Sequence, residues 1–96
     1  MMINVAVISS KRQLDIFSES IMKFEEIVSE CVNRGFQFRH FSKDYVLFDN
    51  ISIELLYIED LKKFDIDEYD NLYVHHNVSH YFSKLINSPS DKFNLF

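Results

Sequence analysis

Three histidines close together near the carboxyl-terminal third, His75, His76 and His80, are the residues of this chain best suited to metal chemistry. His76 and His80 are four apart and share one face of any helix that begins early enough, His75 adjoins them, and His40 joins the group if its strand lies nearby across the sheet. Neutral imidazoles of this kind favour zinc-like over magnesium-like ions. No carboxylate or second cysteine completes a familiar ligand spacing, so the competing assignment is of polar histidines, at the surface or partly buried.

A second group, Ser9-Ser10-Lys11-Arg12, stands where an apolar run gives way to a helical pattern. Unpaired N–H groups and the positive end of a helix dipole attract anions, and Lys11 and Arg12 add charge there. The expectation is a phosphate or nucleotide site, against the alternative of two long side chains lying in solvent beside an ordinary capped helix. The third group is an acidic connector with Glu59, Asp60, Asp65, Asp67, Glu68 and Asp70. Carboxylates spaced along a surface can imitate nucleic-acid phosphates in a partner's basic groove, or simply keep a small protein soluble. The fourth is the segment 89–96, where Phe93, Leu95 and Phe96 must dock on their own domain or enter a partner's pocket. Cys31 is the only cysteine, and its apolar helical setting marks it as a small buried hydrophobe, not a nucleophile. No residues are assigned to catalysis.

The elements that must position these residues follow from hydrophobic period. Asn4 to Ile8 is a continuous β-branched run, as expected of a strand covered on both faces. Ser10, with Gln13 three residues on, fits a capping box that opens a helix. Leu14, Phe17, Ile21, Phe24, Val28 and Cys31 then recur at spacings of three and four, while the acids mostly fall off that stripe. Gly35, the only glycine, stands where the pattern stops and a left-handed residue is needed. From Phe36 the period is two: Phe36, Phe38 and His40 alternate with Gln37 and Arg39. Turns at Lys43-Asp44 and Asp49-Asn50 then delimit strands at Tyr45–Phe48 and Ile51–Ile58. The connector holds about one helical turn at Leu61–Phe64. Asn71–His75 reads as the next strand, and Asn77 or Ser79 caps a last helix, Val78–Ile86, that stops before Ser88-Pro89.

The fold class expected is α/β, a small Rossmann-like or P-loop-like mixed sheet in the order β-α-β-β-β-β-α with a β-hairpin extension. Residues 1–88 form a single domain and 89–96 a tail. With 96 residues, 47% of them apolar, the chain has one core and little stability to spare. The net charge of −5 resides in the second half: residues 1–48 carry six acids and six bases, residues 49–96 nine and four. Direct nucleic-acid binding lacks its electrostatic footprint. No run of the ~18 apolar residues needed to span a bilayer and no signal-peptide pattern is present, so the expectation is a cytoplasmic chain without membrane contact. A small sheet with apolar edges is open to pairing as a homodimer.

The order of elements, with Tyr69-Asp70-Asn71-Leu72-Tyr73-Val74, resembles the nucleotide-binding core of P-loop ATPases of the phage terminase and helicase type. There a comparable strand ends in Asp-Glu; here His75-His76 stands in that place. Where the glycine-rich phosphate loop should follow the first strand, this chain has Ile8-Ser9-Ser10-Lys11-Arg12, with no glycine. Without glycine the backbone N–H groups do not converge cheaply on a phosphate, and without the carboxylate pair magnesium and water are not held. The resemblance therefore implies a degenerate, non-hydrolysing phage or mobile-element protein without a cofactor. Such a chain is an accessory or inhibitor that acts on a protein partner, for instance host or phage nucleic-acid-processing machinery. Phe93-Asn94-Leu95-Phe96 is also similar to the peptide by which bacterial proteins bind the sliding clamp, with Lys92 at that peptide's leading Gln. The alternatives are a small nucleotide- or phosphate-binding module and a clamp-binding protein.

Overall fold

The unbroken apolar run of the first strand has a simple outcome: it lies at the centre of the sheet, covered above and below. The computed structural model describes residues 1–12, 14–63, 65–82 and 91–96, with backbone alone for 14–17 and 61. Among them, β1 (Ile3–Ser9), α1 (Leu14–Asn33), β2 (Phe38–Phe41), β3 (Tyr45–Phe48), β4 (Ile51–Tyr57), β5 (Asn71–Val74) and β6 (Phe93–Leu95) build one α/β domain. Three 3-10 segments, η1 (Ile58–Lys63), η2 (Ile66–Glu68) and η3 (His76–Phe82), complete it. The six-stranded mixed sheet runs β2-β3-β4-β1-β5-β6. β1 pairs in parallel with both β4 and β5, β5 in parallel with β6, and β3 is antiparallel to β2 and β4.

Strand alternation divides the core in two. Val5 and Val7 face α1 and pack with Phe24, Val28 and Cys31 of the helix and with Val46, Phe48, Ile53 and Leu55 of β3 and β4. Ala6 and Ile8 face the other way, where Leu72 and Val74 meet Val78 and Phe82 of η3. The helix stripe read from the sequence is the buried face of α1, as far as its side chains are described. Ser20, inside the helix, is fully buried because its hydroxyl donates to the Ile8 carbonyl at 2.9 Å. α1 ends as its glycine dictates. Gly35 has φ +90, its N–H bonds the Val32 carbonyl, and the Phe36 N–H bonds the Cys31 carbonyl, which together make a Schellman cap.

Several expectations are corrected. Gln13, Phe64 and the stretch from 83 to 90, which holds the end of the expected last helix and Ser88-Pro89, lie outside the described residues. The described part of that last helix is 3-10 from His76, not α from Val78. Val78 N–H reaches back three residues to the His75 carbonyl, and the His75 ring takes the Asn77 N–H, which tightens the first turn. The connector holds two 3-10 segments instead of one turn. β2 starts later than Phe36 and slips register between Phe38 and His40. That bulge brings the Phe38 and Phe41 rings edge to face at 5.4 Å, which strict alternation forbids. The segment read as a tail supplies β6. No helix among the described residues is long and apolar enough to cross a membrane.

Candidate functional site

β1 lies between β4 and β5, so the chain departs from it on one face through α1 and crosses it on the other between β4 and β5. The carboxyl ends of these three strands therefore frame the crevice where open α/β sheets bind ligands. A cleft of about 430 Å³ is found there, lined by Ser10, Arg12, Glu59, Asn77, His80 and Tyr81 with Ile58 and Val78 beneath.

The structure fills the expected anion position with its own carboxylate. Glu59 Oε1 accepts the Lys11 N–H and Oε2 accepts the Ser10 hydroxyl, each at 2.8 Å. Ser10 Oγ in turn accepts the Arg12 N–H at 3.2 Å, a short turn before α1, while the Gln13 half of the expected capping box lies outside the described residues. Burial raises the Glu59 pKa, but the hydrogen bonds from Lys11 and Ser10 outweigh that and leave it below the usual carboxylate value. Lys11 is committed to Asp60 at 3.0 Å and lies over the Tyr57 ring. Ser9 is on the α1 side, fully buried, and its hydroxyl has no partner among the described residues. The four residues expected to form one site are thus divided, with Ser10 and Arg12 alone in the cleft lining.

The histidines do not converge. His75 is buried on the α1 face, its Nε2 against the Glu19 carboxylate. His76 is exposed, stacks on His75 at 4.3 Å and bonds the Phe96 carbonyl through Nδ1 at 3.0 Å. His80 pairs with the Tyr81 ring in the cleft, and His40 lies on β2, with β3, β4 and β1 between it and β5. Among the described residues no three His, Cys, Asp or Glu groups gather as a metal site would require.

The acidic connector is spent largely on internal bonds. Glu59 and Asp60 hold the loop before α1. Asp65 caps η2 by accepting the Asp67 N–H at 2.9 Å, Asp67 lies 3.8 Å from Lys92, and Asp70 accepts the Asn4 N–H at 2.8 Å. Glu68 is exposed, and it is its backbone carbonyl that takes the Asn4 amide. At the other end of the chain, Phe93 packs on the η3 side and Phe96 on the α1 side, while Leu95 stays exposed.

Two features carried no clear sequence signal. The Glu19–His75 pair joins residues 56 apart, and Glu19 looks like any solvent-facing acid of an amphipathic helix. The other is a mainly apolar groove of about 640 Å³ on the α1 face, between Ile21, Phe24 and Val28 of the helix, Phe41 and Lys43 of the β2–β3 hairpin, and Leu55 and Tyr57 of β4. Comparison with protein-family models, with curated proteins and with solved structures returned no match for this chain.

Proposed function

We propose that this chain is a non-enzymatic protein-binding module, an accessory or inhibitor protein, on a sheet that resembles a reduced nucleotide-binding core. The observation that carries the reading is the pairing of an occupied anion position with an open apolar groove. Glu59 takes two donors expected to meet an anion, the Ser10 hydroxyl and the Lys11 N–H, whereas the groove beside α1 leaves Phe41 66% exposed at its rim. A hydrophobic pocket flanked by polar groups is what a partner's anchoring side chain fills.

Charge selects the partner's character. α1 carries Glu25, Glu26 and Glu30 on exposed positions, with Lys23 the basic residue within it, and Glu25 also borders the groove. The occupant is therefore an apolar or aromatic side chain within a basic segment. Phe41→Glu tests this, because Phe41 is largely exposed and its replacement leaves the two cores in place. Partner captured by the wild type and lost by Phe41→Glu, at unchanged melting temperature, supports the reading. Equal capture by both proteins refutes it.

A second reading rests on the cleft at the strand ends, whose Arg12, Asn77 and Tyr81 would suit a small anionic ligand with a ring. A thermal-shift screen with inorganic phosphate and nucleotides at about 1 mM decides it, since a ligand of the native state must raise the melting temperature. A clear rise favours this reading over the first; a flat response removes it.

A further inference from the structure

We propose that His75 is a proton-operated latch that holds η3, and with it one wall of the cleft, against the sheet. Its imidazole is 1% exposed and both nitrogens are engaged. Nδ1 accepts the Asn77 N–H at 3.1 Å, so the ring proton is on Nε2 and is donated to Glu19. The neutral ring fits this arrangement and the imidazolium does not. A proton added at Nδ1 points at a backbone N–H that cannot turn away, which sets donor against donor inside the protein. The contact with Glu19 survives protonation, but that carboxylate is 56% exposed, so water screens the charge it would offer a buried cation.

Charged and titratable groups face the ring from the elements packed against it. α1 presents Glu19 and, one turn on, Lys23, whose ammonium lies 5.6 Å from the Phe96 ring and 5.8 Å from the Tyr73 ring and is paired with Glu26 at 3.4 Å. η3 presents His76, stacked at 4.3 Å. β5 contributes the Tyr73 phenol on this face, and β1 contains no ionisable side chain. Phe96 closes the remaining side, its ring edge-to-face with the imidazole at 5.4 Å between centroids. A proton on Nδ1 displaces the Asn77 N–H, and Lys23 on the same face adds no compensating negative charge, so acid releases the Asn77 turn.

What moves is defined by the bonds in series. Asn77 N–H is held by His75 Nδ1 and Val78 N–H by the His75 carbonyl, while Val78 seats η3 on Ala6, Ile8, Leu72 and Val74. Asn77, Val78, His80 and Tyr81 all border the cleft. Protonation of one buried ring thereby opens the cleft along its η3 side.

Amide exchange measured by NMR between about pH 8 and pH 5, the range in which histidine charges, tests the latch. Protection factors of the Asn77 and Val78 amides should fall at least about tenfold towards the acid end, with those of Val5 and Val7 in β1 changing less than about twofold. His75→Asn places an acceptor oxygen near the Nδ1 position and does not titrate; it should abolish the acid loss. A wild type that stays protected at about pH 5, or a His75→Asn protein with the same acid loss, overturns the proposal. Should the variant not fold, ring-nitrogen NMR of the wild type decides. A common midpoint for His75 Nδ1 protonation and the Asn77 amide shift supports the latch, and separate midpoints refute it.

Discussion

Removal of the Glu59 carboxylate should uncouple the loop before α1 from η1, and the cost can be worked from the two bonds it makes. The Lys11 N–H is at an exposed position, so water replaces Glu59 there and the net loss is about 0.5–1 kcal/mol. Ser10 is 2% exposed, and its hydroxyl would lose its acceptor away from water, which costs about 1–2 kcal/mol. Glu59→Ala should therefore lose about 2 kcal/mol, a drop in Tm of roughly 10 °C for a domain of this size. Glu59→Gln keeps an acceptor for Lys11 and an amide that Ser10 can accept from, and should lose only about 0.5–1 kcal/mol. The pH dependence has a fixed sign. Glu59 has a folded-state pKa below its ordinary value of 4.5, so its extra stabilisation is complete above that pH and fades as pH falls through the folded value. Urea unfolding at a series of pH values reads this directly: the gap between wild type and Glu59→Gln should be constant near neutrality and close in acid. A gap unchanged from about pH 7 to pH 3, or a Glu59→Ala protein within about 0.5 kcal/mol of wild type, would refute the assignment.

Two further outcomes test the scaffold. Phe48→Ala empties a fully buried site between Phe36 and Phe38 and should cost about 3–5 kcal/mol in urea unfolding, enough to leave the chain largely unfolded on warming. Gly35→Ala meets nothing within 4 Å, so its loss, about 1 kcal/mol by the same measurement, should come wholly from forcing a side chain into positive φ.

What the sequence made legible was local or periodic. The two-faced apolar run of β1, the stripe of α1, the glycine at its end and the turns around β3 each depend on residues a few positions apart, and each is found as expected. β6 was not legible because three residues, Phe93 to Leu95, have no period of their own. They become a strand because β5 offers a free edge, as the Leu72 N–H to Lys92 carbonyl bond at 2.8 Å illustrates. The candidate site was legible in place but not in content. The end of β1 and the connector were both singled out, but that Glu59 would settle on Lys11 and Ser10 depends on a contact across 48 or more residues, and an acid in a charged connector gives no hint of it. The same distance hid Glu19 from His75.

The central position of β1 has a kinetic consequence. Both of its edges are completed only by distant chain, β4 and β5: Ser52 meets Asn4 across 48 residues and Asp70 meets it across 66. The β2–β3–β4 meander, by contrast, joins neighbours through short turns. Loop-closure entropy then makes the meander the natural first structure, with β1 recruited onto β4 and β5 onto β1 afterwards. Until that happens the most apolar strand of the chain has both edges open, and this interval, not the finished fold, is when the protein is most exposed to aggregation.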